Sequence, residues 1–204
     1  MHRPPSLSAD NDGGAPRVRD SARTKAAILE AAAIAFSTVG YGNAGVREIA
    51  ACAGVNSTLI ARYFGSKERL FEEALRRALP VETLFDAGRA RFGAHVAAIL
   101  TAEVSDSQNV VAMAILATGH PAASAIVTRL YEELVVGALA AWLGGVAARS
   151  RAARITALCT GFVTYRKLLP LSDLHGAGEA MAASWLAQSL QALVDEDGTR
   201  GDRP

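Results

Sequence analysis

No group of residues in this chain has the types and spacing of a catalytic centre. The four histidines, His2, His95, His120 and His175, are scattered. No Ser/His/Asp set stands in supporting context, and neither an HExxH-type metal site nor a phosphate loop occurs. Cys52 and Cys159 lack metal-ligand spacing to histidine or to each other. Set in apolar helical patterns, they read as buried, reduced thiols of a cytoplasmic protein. No catalytic residue, metal or cofactor is therefore expected. The chemistry on offer is that of charge. Between Arg17 and Leu79, ten Lys and Arg stand against six Asp and Glu, whereas the whole chain of 204 residues carries a net charge of only +1. A basic end on a near-neutral chain fits a nucleic-acid face confined to one module; a solvated basic surface is the alternative.

The elements that would position such a face are helices. Half the residues are hydrophobic and only 6% aromatic, with alanine and leucine filling most apolar positions, a composition that favours helix over strand. No strand-like alternation or repeat is visible, so the expected fold is all-α with about nine helices. No apolar run marks a signal peptide, and no unbroken stretch of about 20 apolar residues marks a membrane span. Residues 1–20, rich in Pro, Ser, Asp, Asn and Gly, are expected to be disordered. With Arg17, Arg19, Arg23 and Lys25 following, this arm either reaches a DNA groove or stays a loose solvated tail.

Four helices are expected next, over Ser21–Val39, Val46–Ala53, Ser57–Tyr63 and Lys67–Leu79. The first carries the stripe Ile28, Ala32, Ala35, Phe36 and Val39, and Gly40 stands where a C-terminal glycine belongs. Tyr41 to Gly45 reads as a loop. Two short helices separated by Gly54 form a helix-turn-helix pattern over about 45–64, which needs its neighbours as a supporting core. Ser66 is a candidate N-cap and Pro80 a stop. Five more helices follow, over Arg89–Val104, Asn109–Thr118, Pro121–Val146, Arg151–Leu169 and Ala177–Asp195, with a polar tail at 197–204. The domain division is thus 22–82 and 83–196.

ILEAAAIAF (Ile28–Phe36), VGYGNAGVREIAACAGV (Val39–Val55) and RYFGSKERLF (Arg62–Phe71) together resemble the DNA-binding domain of the TetR/AcrR family of bacterial regulators, in order and in spacing. The resemblance implies an N-terminal three-helix helix-turn-helix domain joined to a C-terminal helical ligand-binding and dimerisation domain. It implies a cytoplasmic repressor that binds a palindromic double-stranded operator as a homodimer and is released by a small hydrophobic effector. An effector-independent or architectural DNA-binding protein of the same fold is the alternative, and a helical enzyme a remote one. The third helix takes the recognition position, offering Asn56, Ser57 and Thr58 to base edges; Asn56 could equally be a helix N-cap. Arg47 on the second helix takes a DNA-contacting position. Tyr63 and Lys67 match phosphate-contacting positions, although Tyr63 could pack on the first helix. Arg62 either reads DNA or pairs with an acid. Two departures stand out: Gly45 where the family often has a capping Ser or Thr, and Ala61 where it often has an aromatic residue.

One short recognition helix makes too few base contacts for specificity, so two copies about 34–36 Å apart are expected. The family pairs its last two helices in a dimer. Here Ala153, Ala157, Gly161 and Thr164 form a small-residue stripe, and Trp185 and Leu186 belong to an apolar band on the final helix. Core packing within one subunit competes for the same residues. Candidates for the effector pocket are Phe92, His95, Met113, Trp142, Phe162, Tyr165 and Arg166, with Phe85 and His120 beside them; a mostly apolar site suits a hydrophobic effector. His95 and Arg166 could orient a polar group or lie on the surface.

Overall fold

The computed structural model describes residues 15–79, 81–102 and 109–196, with backbone alone at 15–19. The expected disorder up to residue 14, the stop at Pro80, the break at Ser105-Asp106-Ser107 and the tail at 197–204 fall outside the described residues. Among those described, all regular structure is helical.

The first five helices are α1 (Ala15–Thr38), α2 (Gly40–Asn43), α3 (Val46–Cys52), α4 (Ser57–Phe64) and α5 (Lys67–Ala78). Helix α1 starts at Ala15 rather than Ser21. Pro16 falls in its first turn, where a missing N–H costs nothing, so Arg17 and Arg19 belong to the helix and not to a loose arm. The expected loop after Gly40 is instead one helical turn, α2. Two further expectations fail here: Val39 and Cys52 are exposed, not buried, because each ends its helix on the outward side. Phe36, Tyr41 and Phe71 interlock at the centre, with edge-to-face ring contacts at 5.0 Å between Phe36 and Phe71 and 5.2 Å between Tyr41 and Phe71.

The second half continues with α6 (Phe92–Thr101), preceded by a 3₁₀ turn over Arg89–Arg91, then α7 (Val110–Ala117) and α8 (Pro121–Leu130). Helix α8 runs through a π-helical turn at Tyr131–Val136 into α9 (Gly137–Leu143). Helix α10 (Ala148–Val163) ends in a second π-helical turn over Thr164–Leu168, and α11 (Glu179–Asp195) closes the fold. Two cores result. Met113, Ala117, Ala123 and Leu130 from α7 and α8 complete the core of α1–α5, whereas Val135, Val136 and Leu139 belong to a second core with Phe92, Val96, Ile155, Leu186 and Leu190. The π-helical turn therefore marks where one rod passes from the first core to the second.

Close contacts fix both packings. Gly40 has φ +77°, and a Cβ there would lie 3.2 Å from the Leu116 Cβ of α7. At Gly93 a Cβ would strike the Ala187 carbonyl oxygen, so only glycine lets α6 lie this close to α11. The Gln191 side chain ties the pair together, accepting from the Gly93 amide at 3.0 Å and donating to the Arg89 carbonyl at 3.0 Å.

Candidate functional site

The turn between α3 and α4 is held by backbone alone. The Val55 amide donates to the Ala50 carbonyl at 2.9 Å, and Gly54 takes φ +67°, a left-handed conformation that glycine adopts without strain. Asn56 then starts α4 as its N-cap: its Oδ1 accepts from the Thr58 amide and from the Thr58 hydroxyl, both at 2.9 Å. This carbonyl oxygen is thus engaged, while the side-chain NH2 group has no partner among the described residues. Ile60 and Phe64 turn inward. Asn56, Thr58, Ala61 and Arg62 are exposed, and Ser57 is half-buried. Arg47, on α3, is also exposed; among the described residues neither it nor Arg62 forms an ion pair. The structure thus brings Arg47, Asn56, Ser57, Thr58 and Arg62 onto one short two-helix unit with donors facing outward.

Tyr63 and Lys67 are more constrained. Ser21 of α1 donates to the Tyr63 hydroxyl at 3.1 Å, which leaves the phenolic hydrogen for another acceptor. Lys67 opens α5 and places its Nζ 4.6 Å from the centre of the Tyr41 ring, a cation–π contact. Burial pulls its ammonium below the usual lysine range, partly offset by the neighbouring Glu68 charge. Tyr41 donates to Glu68 Oε1 at 2.9 Å and lies edge-on to His120, ring centres 4.7 Å apart. Burial first, then the bond to Glu68, pushes the Tyr41 hydroxyl up to about 12. At Gly45, the residue that caps α3 without a side chain, the Glu48 carboxylate fills the space a Cβ would take.

Most residues expected in the effector pocket lie away from the cavity that the helices enclose. A cavity of about 120 Å³ lies between the end of α5 and helices α6, α8–α9 and α10, and of the seven residues proposed for it only Phe92 lines it. Met113 is fully buried in the first core, and Phe162 is packed within the second. Trp142 stacks on Phe85 and Phe92. His95 is held by the Thr83 carbonyl at 2.7 Å. Tyr165 is 48% exposed. Arg166, only 7% exposed, donates to the Leu174 carbonyl at 2.9 Å and the Thr101 carbonyl at 3.0 Å, and pairs with Glu179 at 2.5 Å. Three of its five N–H donors are thus spent on two carbonyls and on Glu179. The walls that the sequence reading missed come instead from Tyr131, Val135 and Leu139 on one rod and Ile155 and Cys159 on another. Their i, i+4 spacing was the available signal.

On the outer face, Ala153 and Ala157 are exposed and Gly161 and Thr164 half-buried. A Cβ on Gly161 would meet nothing within 4 Å. Met181 and Trp185 of α11 are 78% and 52% exposed. Leu186, however, is fully buried in the second core; one residue beyond Trp185, it points a hundred degrees round the helix and is unavailable to a partner.

Two family models match the chain. Residues 28–74 match the N-terminal model described as bacterial regulatory proteins, tetR family, and residues 91–194 match the tetracyclin repressor-like C-terminal domain. Among solved structures, a TetR-family regulator from Streptomyces coelicolor is 28% identical, with a TM-score of 0.55 over 86% of this chain and 96% of its own. A TetR-family transcriptional regulator from a Rhodococcus species is 19% identical, with a TM-score of 0.67 over 85% of this chain and all of its own. NalD of Pseudomonas aeruginosa, the secondary repressor of the MexAB-OprM multidrug efflux pump, is 19% identical, with a TM-score of 0.60 over 84% and 96%. No curated protein matches the chain in sequence.

Proposed function

The chain belongs to the TetR family of bacterial regulatory proteins, and from that premise we propose that it is a cytoplasmic repressor that binds a palindromic operator as a homodimer and leaves it when a small hydrophobic effector binds. The observation that carries the reading is the α3–α4 unit, where Arg47, Thr58, Arg62 and the free amide of Asn56 stand outward on a buried apolar base. Arginine and the Asn amide are the groups that pair with phosphates and base edges. Tyr63 and Lys67 flank the recognition helix as phosphate contacts, Lys67 only by leaving the Tyr41 ring. Dimerisation uses the outward side of α10 and α11, with Ala153, Ala157 and Gly161 allowing close approach and Met181 and Trp185 supplying apolar area. The cavity beside Phe92 favours ligand response over an effector-independent protein, whose C-terminal core would be sealed.

A salt-titrated mobility shift on DNA from upstream of its own gene and the divergent neighbour tests the reading. Two subunits per site, a steep salt slope and weakening by Arg47→Ala and Tyr63→Phe are expected. Sedimentation of Trp185→Glu should give monomers that no longer select the site. Failure of the wild-type dimer to select any sequence from random DNA at low salt would overturn it.

A further inference from the structure

The cavity has a chemistry that narrows what could fill it. Its walls are apolar, with Phe92, Val96, Leu139 and Ile155 among them, and no charged side chain among the described residues lines it. Two polar groups on the wall are accounted for or weak. The Thr156 hydroxyl donates to the Ala152 carbonyl at 2.9 Å. Burial pushes the Cys159 thiol up to about 12, so it stays neutral and unreactive. Thr160 carries a small hydroxyl at the end of α10. Tyr131 also lines the cavity, and its hydroxyl has no hydrogen-bond partner among the described residues. Burial pushes its hydroxyl up to about 12, and the residue as a whole is half-buried. Tyr131 is also the first residue of the π-helical turn, a distortion that often sits at functional positions.

We propose that this cavity binds a compact, uncharged, largely apolar molecule of about one ring that carries a hydrogen-bond acceptor such as a carbonyl, and that Tyr131 donates to that acceptor. The inference rests on the effector part of the proposed function and names its ligand class. Size follows from the volume, since an apolar cavity of about 150 Å³ holds benzene and this one measures about 120 Å³. Charge is disfavoured because a carboxylate or ammonium would leave water for walls whose described residues hold no counter-charge. Tyr131 is well placed to transmit occupancy. The preceding Leu130 is packed in the first core, and Arg129 bridges to Glu72 of α5 at 2.9 Å. A ligand that draws on Tyr131 therefore pulls on the rod whose previous turn is joined to the helix that supports α4.

The test uses the full-length protein and three probes of one shape: acetophenone, ethylbenzene and benzoate, with affinities read by titration calorimetry or ligand-observed NMR. Acetophenone should bind roughly fivefold tighter than ethylbenzene, the worth of one net hydrogen bond, and benzoate should not bind. Tyr131→Phe should erase the acetophenone preference and leave ethylbenzene within about twofold. A preference that survives Tyr131→Phe, benzoate binding as well as acetophenone, or no binding of any probe to a folded dimer would overturn the inference. Sequence-selective DNA binding is measured on the same preparations. Selection of DNA without a Tyr131-dependent preference defeats this inference alone. A Tyr131-dependent preference without DNA selection sustains it and defeats the repressor reading.

Discussion

The two halves of the molecule use their polar side chains in opposite ways. On α3 and α4, Arg47 and Arg62 stand in solvent without ion-pair partners among the described residues. In the second half the polar residues are spent on holding the fold. Arg166 closes the ends of neighbouring segments through Thr101 and Leu174. Arg151, also buried, donates to the Val194, Glu196 and Gly144 carbonyls at 3.1, 2.8 and 2.7 Å. Arg89 does the same for Trp142 and Leu143 at 3.0 and 2.9 Å. Helix ends leave carbonyls without partners, and in this half buried arginines meet much of that need. A basic residue near an apolar cavity is thus more informative about helix ends than about ligands.

The sharpest way to break this contrast is to remove one arginine from each half. Arg166→Ala should cost about 3 kcal/mol, since it strands buried carbonyls and unpairs Glu179, and urea unfolding will read it. Arg62→Ala and Arg47→Ala should leave urea midpoints unchanged. Each should instead weaken operator binding roughly tenfold, and each that touches a phosphate should lower the salt slope by about one. Equal stability losses from Arg62 and Arg166 would dissolve the distinction.

The same contrast explains what could be read from the sequence. The α3–α4 unit is a surface on two short helices. Its outward residues follow from helical phase and from local punctuation, with Gly54 at the turn, Asn56 at the cap and Gly65 at the end. The cavity is a space among four elements, and phase on one helix cannot say which face meets it. Tyr131 was hidden because Pro121–Val146 reads as one straight helix, whereas the rod carries a π-helical turn that hands its buried side from one core to the other. Met113 was misassigned for a related reason. Helix α7 is apolar all round, so its pattern gives no preferred direction, and packing onto α1 and α2 turned Met113 toward the first core. Leu186 failed as an interface residue because an apolar band says how wide the buried arc is and not where it stops.

A smaller effect probes the junction of the halves, where Tyr41 joins Glu68 and His120. The Glu68 carboxyl is held below the ordinary carboxylate range, chiefly by its own backbone amide, then by the hydrogen bonds from Tyr41 and Ser66. A carboxylate with a depressed folded pKa stabilises the protein above its unfolded pKa, and that contribution is lost as pH falls through the folded one. Stability should therefore drop on the acid side, as pH falls from the unfolded value of about 4.5 through the lower folded one, and Glu68→Gln should flatten that drop. Tyr41→Phe should flatten it less, because only the second of the three causes is removed. Thermal unfolding across the range checks the order of the slopes; an unchanged acid slope in Glu68→Gln would show that the junction carries no such linkage.

The smallest change tests whether the recognition unit can be improved where it departs from its family. Gly45 caps α3 at φ −85° and ψ 141°, a conformation open to any residue, so a side chain brings no backbone strain. The obstacle is the Glu48 carboxylate in the space of the new Cβ, the far end of a flexible chain that can swing into solvent. Gly45→Ser should then stabilise the protein by only a few tenths of a kcal/mol, the usual difference between glycine and serine at an N-cap. Its larger consequence would be at the DNA, where the serine hydroxyl adds a donor at the start of α3 and the displaced Glu48 decides the sign. If Glu48 turns away from the phosphates, operator affinity rises about threefold, roughly half a hydrogen bond to a charged group. If it turns toward them, affinity falls, and Glu48→Gln in the Gly45→Ser background should restore the gain. Mobility shifts on the two variants at one salt concentration separate these cases, and they locate the weakness of the unit in its capping residue or in its acid.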